Sequence, residues 1–405
     1  MQTDANDAFN VAQKLQDMKV NCDLFVDYPQ HVASYPQWEV CDLGLEDIGD
    51  AYKPDWEACN RDWKTPEWIH FFRMASAKGL KPLKLLAMLP MFPAWGILWA
   101  YRMSMREILW KIRWRSSSRL ASIMDEYDLN VCHVPFSIYS QKSKKPYIAF
   151  DAGAIRYLRG YYIFPFQQMR MTILESGYRK AKLIMATNID TFHLFRKLKL
   201  YHHVFMPFLI DTERYKPMKV ENTLPYEHII FHPARQYWRE KANHLMIQAF
   251  HKFHKEHSDS VLALVDWSDD REKTRNLIAK LGLDKNVIYL GLMSKPRLIK
   301  WYNQATVVAD QFLLKGMGTT VSEAMACGKP VIISTSKEMA LEAYGDVPPI
   351  LHADSSERIF NQLRKCTDKG FRKKVGAESR RWVLKHHSPE VVAKRHLELY
   401  EKALN

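Results

Sequence analysis

At 405 residues the chain is too long for one ordinary core, and two domains are expected. An apolar content of 47% excludes large-scale disorder, and a net charge of +14 points to anionic partners: nucleotides, nucleic acid or an acidic membrane surface. The six cysteines (Cys22, Cys41, Cys59, Cys132, Cys327, Cys366) show no Cys-x-x-Cys or Cys-plus-His spacing, which speaks against a structural zinc and for a reduced, cytosolic chain.

The polar start MQTDANDAFN reads as no signal peptide, and Asn6 to Met18 has the apolar spacing of a helix. CDLFVD (Cys22 to Asp27) reads as a short strand. An α/β domain places a strand before such a helix, so either the first strand is missing from this sequence or the sheet lacks it. Residues 28–75, rich in Pro, Asp and Trp, read as loop with short helices. Residues 78–127 read as helical.

Within them Leu80 to Met105 is apolar, but Lys81, Lys84 and Arg102 interrupt it and Pro82, Pro90 and Pro93 break it. A transmembrane helix is rejected. Trp95, Trp99, Trp110 and Trp114, mixed with Lys111, Arg113, Arg115 and Arg119, admit two readings. One is a core-facing helix pair, favoured for Leu85 to Leu98. The other is an interfacial surface on an anionic membrane, favoured for Trp110 to Arg119.

Leu129 to Val134, Lys145 to Gly153 and Leu183 to Ala186 read as parallel-type strands, and Val204 to Pro217 as an exit strand with a linker. Beyond Glu221, strand and helix alternate to residue 334, as in a parallel sheet with helices on both faces. The fold class is therefore α/β with two Rossmann-like domains: 1–210, 211–388, and a closing helix over 389–405.

Two stretches carry chemistry. HPAR ends a strand, and Arg235 and Lys241 flank the loop that follows. Two long cations at that place suit a diphosphate, although a solvated basic loop is the commoner fate of such a run. KGMGTTVSEAMACGKPVI supplies a glycine loop and a helix start over Gly316, Gly318, Thr319 and Thr320, which offers backbone N–H groups to an anion. A tight turn that merely packs closely fits that stretch equally well.

Together, HPARQYWREKANH, NVIYLGLMSKPRLIKWYNQATVVADQF and GMGTTVSEAMACGKPVI resemble the C-terminal domain of family 4 (group 1) glycosyltransferases. The resemblance covers residues 205 to 404 well and the N-terminal half faintly, through DANDAFNVAQKL, DAGAIR and PFLIDTERYKP. It implies a GT-B fold whose last helix crosses back to the N-terminal domain. It implies retaining transfer of a hexose from a UDP- or GDP-linked sugar to a carbohydrate or lipid-linked acceptor, with no cofactor and no metal.

In that frame Glu323 meets the ribose hydroxyls, Arg235 and Lys241 neutralise the departing diphosphate, and Gly318, Thr319 and Thr320 address the same phosphates. The chain departs from the family pattern at Lys315, where a glutamate usually contacts the sugar, and at Asp151-Ala152, where His-Gly is usual. Lys315 then suits an acidic sugar, a donor phosphate or plain solvent. Asp151 is a candidate proton acceptor or an Asx cap of its turn, and Asn6 and Asp7 face the cleft or cap their helix. The competing readings are a degenerate GT-B protein that binds without turnover, and a nucleic-acid-binding protein. Against the second, the cations form no recognisable reader motif, and no nucleic acid is expected. The location expected is cytoplasmic, peripheral on the cytosolic membrane face.

Overall fold

The computed structural model describes residues 5–27, 35–42, 44–45, 63–72, 118–133, 137–158, 165–221 and 224–405. Helix α1 (Ala5–Asp17) has two buried faces. Phe9 and Ala12 pack towards β1 (Leu24–Asp27), while Val11 and Leu15 pack towards the central sheet of the domain. Strand β1 pairs in parallel with β3 (Ile69–Phe72), and a short helix α2 (Pro36–Val40) and strand β2 (Gly44–Leu45) lie between them in sequence. Strand β3 corrects the expectation of loop across residues 28–75.

After helix α3 (Ser118–Met124), a four-stranded parallel sheet forms from β4 (Asn130–His133), β5 (Tyr147–Asp151), β6 (Leu183–Ala186) and β7 (His203–Phe205), in that spatial order. Its strands are apolar on both faces because both are covered. Tyr147, Ala149 and Ile184 pack with Met124 of α3 on one side, and Ile148, Phe150 and Met185 with α1 on the other. Helices α4 (Ser137–Ser140), α5 (Pro165–Lys180) and α6 (Phe192–Lys197) complete the described part of this domain. Of residues 78–127, read as helical and in part interfacial, residues 78–117 lie outside the described residues.

The C-terminal domain is a complete doubly wound unit. Its strands are β8 (His228–His232), β9 (Ser260–Val265), β10 (Val287–Leu290), β12 (Val307–Ala309), β13 (Val331–Ile333) and β14 (Leu351–His352). They stand in the order β10-β9-β8-β12-β13-β14, every neighbour parallel. The sheet grows one way from β8 and then the other from β12. A crevice therefore opens at the carboxyl ends of β8 and β12, the place where such sheets bind ligands. Between the strands run α7 (Trp238–Lys241), α8 (Asn243–Glu256), α9 (Arg271–Lys280), α10 (Lys295–Gln304), α11 (Thr319–Ala326) and α12 (Lys337–Tyr344).

Two further helices, α13 (Ser356–Lys365) and α14 (Lys369–His387), precede the crossover. Ser388-Pro389 ends α14, since proline tolerates the first turn of a helix and not its interior. Helix α15 (Pro389–Leu404) then returns to the N-terminal domain, where Val392, Ala393 and Ala403 join Val11, Leu15 and Phe150 in one core. His387 pins this crossing: Nδ1 donates to the Phe208 carbonyl at 2.8 Å, and its own carbonyl accepts from Ile210 N–H at 2.9 Å.

A second tie is a two-residue antiparallel ribbon in which β2 of the first domain pairs with β11 (Leu292–Met293) of the second. Beside it Asp42 accepts from Arg297 at 2.5 Å and from Lys300 at 3.1 Å. Cys22, Cys132, Cys327 and Cys366 are free thiols, whereas Cys41 is disulfide-bonded, against the expectation of a fully reduced chain. Among the described residues no helix is long and apolar enough to cross a membrane.

Candidate functional site

The loop leaving β8 is built by buried polar side chains. His232 Nδ1 donates to the Ala309 carbonyl at 2.7 Å, which leaves Nε2 to accept from Asn243 Nδ2 at 2.9 Å. Asn243 also donates to the Arg235 carbonyl and accepts from Tyr237 N–H, so β8, β12 and the start of α8 share one network. Gln236 bonds the carbonyls of Ala234 and Val265. Ala242, in the left-handed region at φ 51°, turns the chain from α7 into α8.

This scaffold aims Lys241 at the end of β12. Its ammonium donates to Gln311 Oε1 at 2.7 Å and lies 3.2 and 3.3 Å from the two Asp310 carboxylate oxygens. Gln311 in turn donates to the carbonyls of Leu314 and Gly316, which ties the glycine loop to the basic loop. Arg235 pairs with Glu240 at 2.7 Å and lies 5.1 Å from the Tyr237 ring.

Gly318 begins α11, with Thr319 and Thr320 in its first turn and Glu323 one turn further in. The Glu323 carboxylate is 5% exposed. Lys295, at the start of α10, donates its ammonium to one oxygen, and Tyr302 on the same helix donates its hydroxyl to the other at 2.9 Å. Lys295 and Tyr302 are seven residues apart, two turns, and so share one helix face. Although burial opposes it, the Glu323 and Glu39 carboxylates hold the Lys295 ammonium above its ordinary pKa.

The two domains meet over this group around a cavity of about 210 Å³. Asp7, Asn10 and Glu39 come from the N-terminal domain, and Lys295, Thr319, Thr320 and Glu323 from the C-terminal one. Val265, Trp267, Leu292, Met293 and Leu298 make its apolar wall. Burial pushes the Glu39 carboxyl up to about 7, and Glu323 adds to the shift, while Lys295, Arg214 and Asn10 oppose it. Arg214 also donates to the Glu39 carbonyl. The arrangement offers an apolar wall, a buried carboxylate and the opening turn of a helix around one cavity.

Of the candidates read from the sequence, the cavity brings together Glu323, Thr319, Thr320 and Asp7. Gly318 stands at the head of the same helix, with open space where a Cβ would be. Arg235 and Lys241 are not among its walls and stand at the carboxyl ends of β8 and β12. Asp7, in the first turn of α1, accepts from Leu209 N–H at 3.3 Å. Asn6 is in the same turn, and its side chain lies outside the described residues.

Of the two readings of Asp151, proton acceptor or cap of its turn, the hydrogen bonds are those of the cap. The side chain is fully buried at the end of β5, where Oδ1 accepts from Gly153 N–H at 2.6 Å and Oδ2 from Ile155 N–H at 3.0 Å and from the Tyr178 hydroxyl. These bonds give it the turn-capping role and leave it no path to a substrate proton. Gly316 serves close approach: a Cβ there would meet the Asp190 and Asn188 side chains of the N-terminal domain. Lys315 is exposed, and its charge bears on Glu338 of α12. Lys295, Tyr302, Glu39, Asp310 and Gln311 are site residues that the sequence reading did not single out.

Residues 218–365 match the profile of the family described as glycosyl transferases group 1. An uncharacterized glycosyltransferase of Methanocaldococcus jannaschii is 26% identical over 167 residues, 41% of this chain and 43% of that relative's length. Among solved structures, sucrose-phosphate synthase of Thermosynechococcus elongatus superposes with a TM-score of 0.62 at 15% identity, covering 97% of this chain and 91% of that one. Anabaena HepE in complex with UDP gives 0.61 at 15% identity, covering 94% and 100%. A glycosyltransferase of Rickettsia africae gives 0.60 at 15% identity, covering 99% and 95%. At such identities these structures establish the fold, GT-B, with two Rossmann-like domains facing across a cleft. The matched segment, which is similar to the glycosyl transferases group 1 family, runs from the entry into β8 to the end of α13 and contains Arg235, Lys241 and Glu323.

Proposed function

We propose that the chain is a retaining glycosyltransferase that moves a hexose from a UDP- or GDP-linked sugar to a carbohydrate or lipid-linked acceptor. The observation that carries this reading is the cavity between the domains. An apolar wall of Trp267, Val265 and Met293 suits a base, the Glu323 carboxylate suits a ribose diol, and the α11 start, with Lys241 and Arg235 at the carboxyl ends of β12 and β8, suits a diphosphate. The HepE structure contains UDP, which supports a nucleotide-linked donor for a chain of the same fold.

In this reading the ribose hydroxyls replace Lys295 and Tyr302 as donors to Glu323. The bond from the anomeric carbon to the phosphate oxygen breaks, and the diphosphate leaves with the electron pair. The acceptor hydroxyl forms its bond on the same face and passes its proton to a leaving phosphate oxygen. Arg235 and Lys241 stabilise the developing negative charge, a task that a metal performs elsewhere, so the reaction runs without one. Asp151 takes no part. A lipid-linked acceptor at an anionic membrane surface rests on the tryptophan and arginine run at 110–119.

The test is a panel of nucleotide sugars. Release of UDP or GDP, with a product of retained anomeric configuration by NMR, is the expected outcome. Saturable nucleotide binding with neither transfer nor hydrolysis for any donor would leave a GT-B binding protein in place of an enzyme.

A further inference from the structure

Both oxygens of the Glu323 carboxylate already have a donor, Lys295 on one and Tyr302 on the other. A ribose diol bound there, as in the proposed function on which this inference rests, takes the place of these donors. The Lys295 side chain is 12% exposed, and the cavity beside it has Leu292, Met293 and Leu298 in its wall. A cation left unpaired in such a place is costly, so the displaced ammonium needs another anion within reach.

Glu39 of α2, in the opposite domain, meets that need. Its side chain is 2% exposed, and among the described residues its buried Oε2 makes no hydrogen bond. Lys295 of α10, Glu323 of α11, Arg214 and Tyr215 of the linker and Asn10 of α1 bear on this carboxyl, and Asp7 of α1 lines the same cavity. None of them occupies Oε2. Asn10 hydrogen-bonds the carboxyl, while the Arg214 guanidinium stands 3.9 Å from Oε2 and donates to the Glu39 carbonyl. Lys295 lines the same cavity, and its ammonium sits on a flexible four-carbon stem.

We propose that nucleotide binding hands the Lys295 ammonium from Glu323 to Glu39, which makes Glu39 a positioning residue of the donor site. It acts through Lys295: the ribose takes Glu323, and Glu39 holds the cation clear of it. Because α2 and α10 belong to different domains, the new pair also bridges the cleft, and it forms only with nucleotide bound. In the empty site burial raises the Glu39 carboxyl to about 7, so it holds a proton below that pH. An ammonium in direct contact favours the ionised form. The carboxyl O–H bond breaks as Lys295 arrives, the proton goes to solvent, and the ammonium keeps its own three. Binding therefore releases a proton, and affinity rises with pH until the carboxyl is already ionised in the empty site.

The test is calorimetric titration of the whole chain with UDP and with GDP, in buffers of different ionisation enthalpy, beside the variant Glu39→Gln. The terminal phosphate of either nucleotide also titrates near pH ~6, and the variant reports that part alone. The wild type is expected to release about 0.8 of a proton more than the variant at about pH 6 and about 0.1 more at about pH 8. Over the same interval its affinity should gain about tenfold more than that of the variant. Equal proton release in both overturns the hand-over, whether Lys295 stays on Glu323 or turns to the diphosphate. If Glu39→Gln does not fold, infrared difference spectra of the wild type with isotope-labelled glutamate decide. A protonated carboxyl lost on nucleotide addition at about pH 6 supports the hand-over, and one that stays protonated overturns it. Binding of neither nucleotide overturns the proposed function and the hand-over together, whereas saturable binding without the extra proton overturns the hand-over alone.

Discussion

Lys295 and Glu323 form an ion pair at the base of the interdomain cleft, with side chains 12% and 5% exposed. The ammonium comes from the start of α10 and the carboxylate from the second turn of α11, and Tyr302 completes the carboxylate's bonding. Removing one member of a buried pair leaves the other charge uncompensated, at a cost of about 3–5 kcal/mol. Lys295→Met is therefore expected to lower the thermal midpoint by several degrees. The double variant Lys295→Met/Glu323→Gln should recover most of that loss. Additive losses in the two-variant cycle would show that the pair is not coupled.

The same carboxylate carries the nucleotide prediction. Glu323→Ala is expected to weaken UDP or GDP binding by at least about tenfold, which is about 1.4 kcal/mol. Calorimetric titration measures it, and unchanged affinity for both nucleotides removes Glu323 from the ribose contact.

Glu39 makes the cleft sensitive to pH. Burial raises its carboxyl to about 7, with Glu323 adding to the shift. The folded state therefore holds this proton more tightly than the open chain does. Its contribution to stability is full below the open-chain value and is lost as pH rises through about 7. Glu39→Gln keeps the shape and removes the titration. Between about pH 5 and pH 8 the thermal midpoint of the wild type should fall more steeply than that of the variant. Parallel pH profiles would mean that Glu39 ionises as it does in the open chain.

How much of this was legible in the sequence depends on how local each signal is. Leu183–Ala186 was placed to the residue because a strand buried on both faces is an unbroken apolar run. Ile69–Phe72 was missed, since four residues amid prolines and tryptophans become a strand only by pairing with β1. Glu323 and the loop before it were legible because strand, glycines and helix are contiguous. Lys295 and Tyr302 were not, although their seven-residue spacing places both on one face of α10. Their relation to Glu323 exists only after α10 packs beside α11. Glu39 carries no local signal at all, because its environment is made by the other domain. Asp151 carried an ambiguous one, and only the positions of Gly153, Ile155 and Tyr178 decide it.

Arg235 and Lys241 are distinguishable by their surroundings. Lys241 is held by Asp310 and Gln311, so its replacement also disturbs the β12 end, whereas Arg235 is 32% exposed and pairs with Glu240. Arg235→Ala is accordingly the cleaner probe of diphosphate stabilisation. Loss of one preorganised donor to developing charge lowers kcat by about 10²–10³, and the thermal midpoint should barely move. A wild-type rate removes Arg235 from the diphosphate site. Turnover should also survive a chelator, and activity lost with EDTA and restored by magnesium would contradict transfer without a metal.

Asp151→Asn separates capping from catalysis. Both carboxylate oxygens accept from Gly153 N–H, Ile155 N–H and the Tyr178 hydroxyl within a fully buried turn. An asparagine offers one accepting oxygen and one N–H₂ group, so one orientation or the other sets two donors face to face. Leaving a buried polar group unsatisfied costs about 1–3 kcal/mol. The variant is therefore expected to melt at a lower temperature while keeping kcat per folded molecule within about twofold, since the side chain is sealed from the cleft. A drop in kcat of about 10² at a temperature where the variant is fully folded would return Asp151 to the reacting centre.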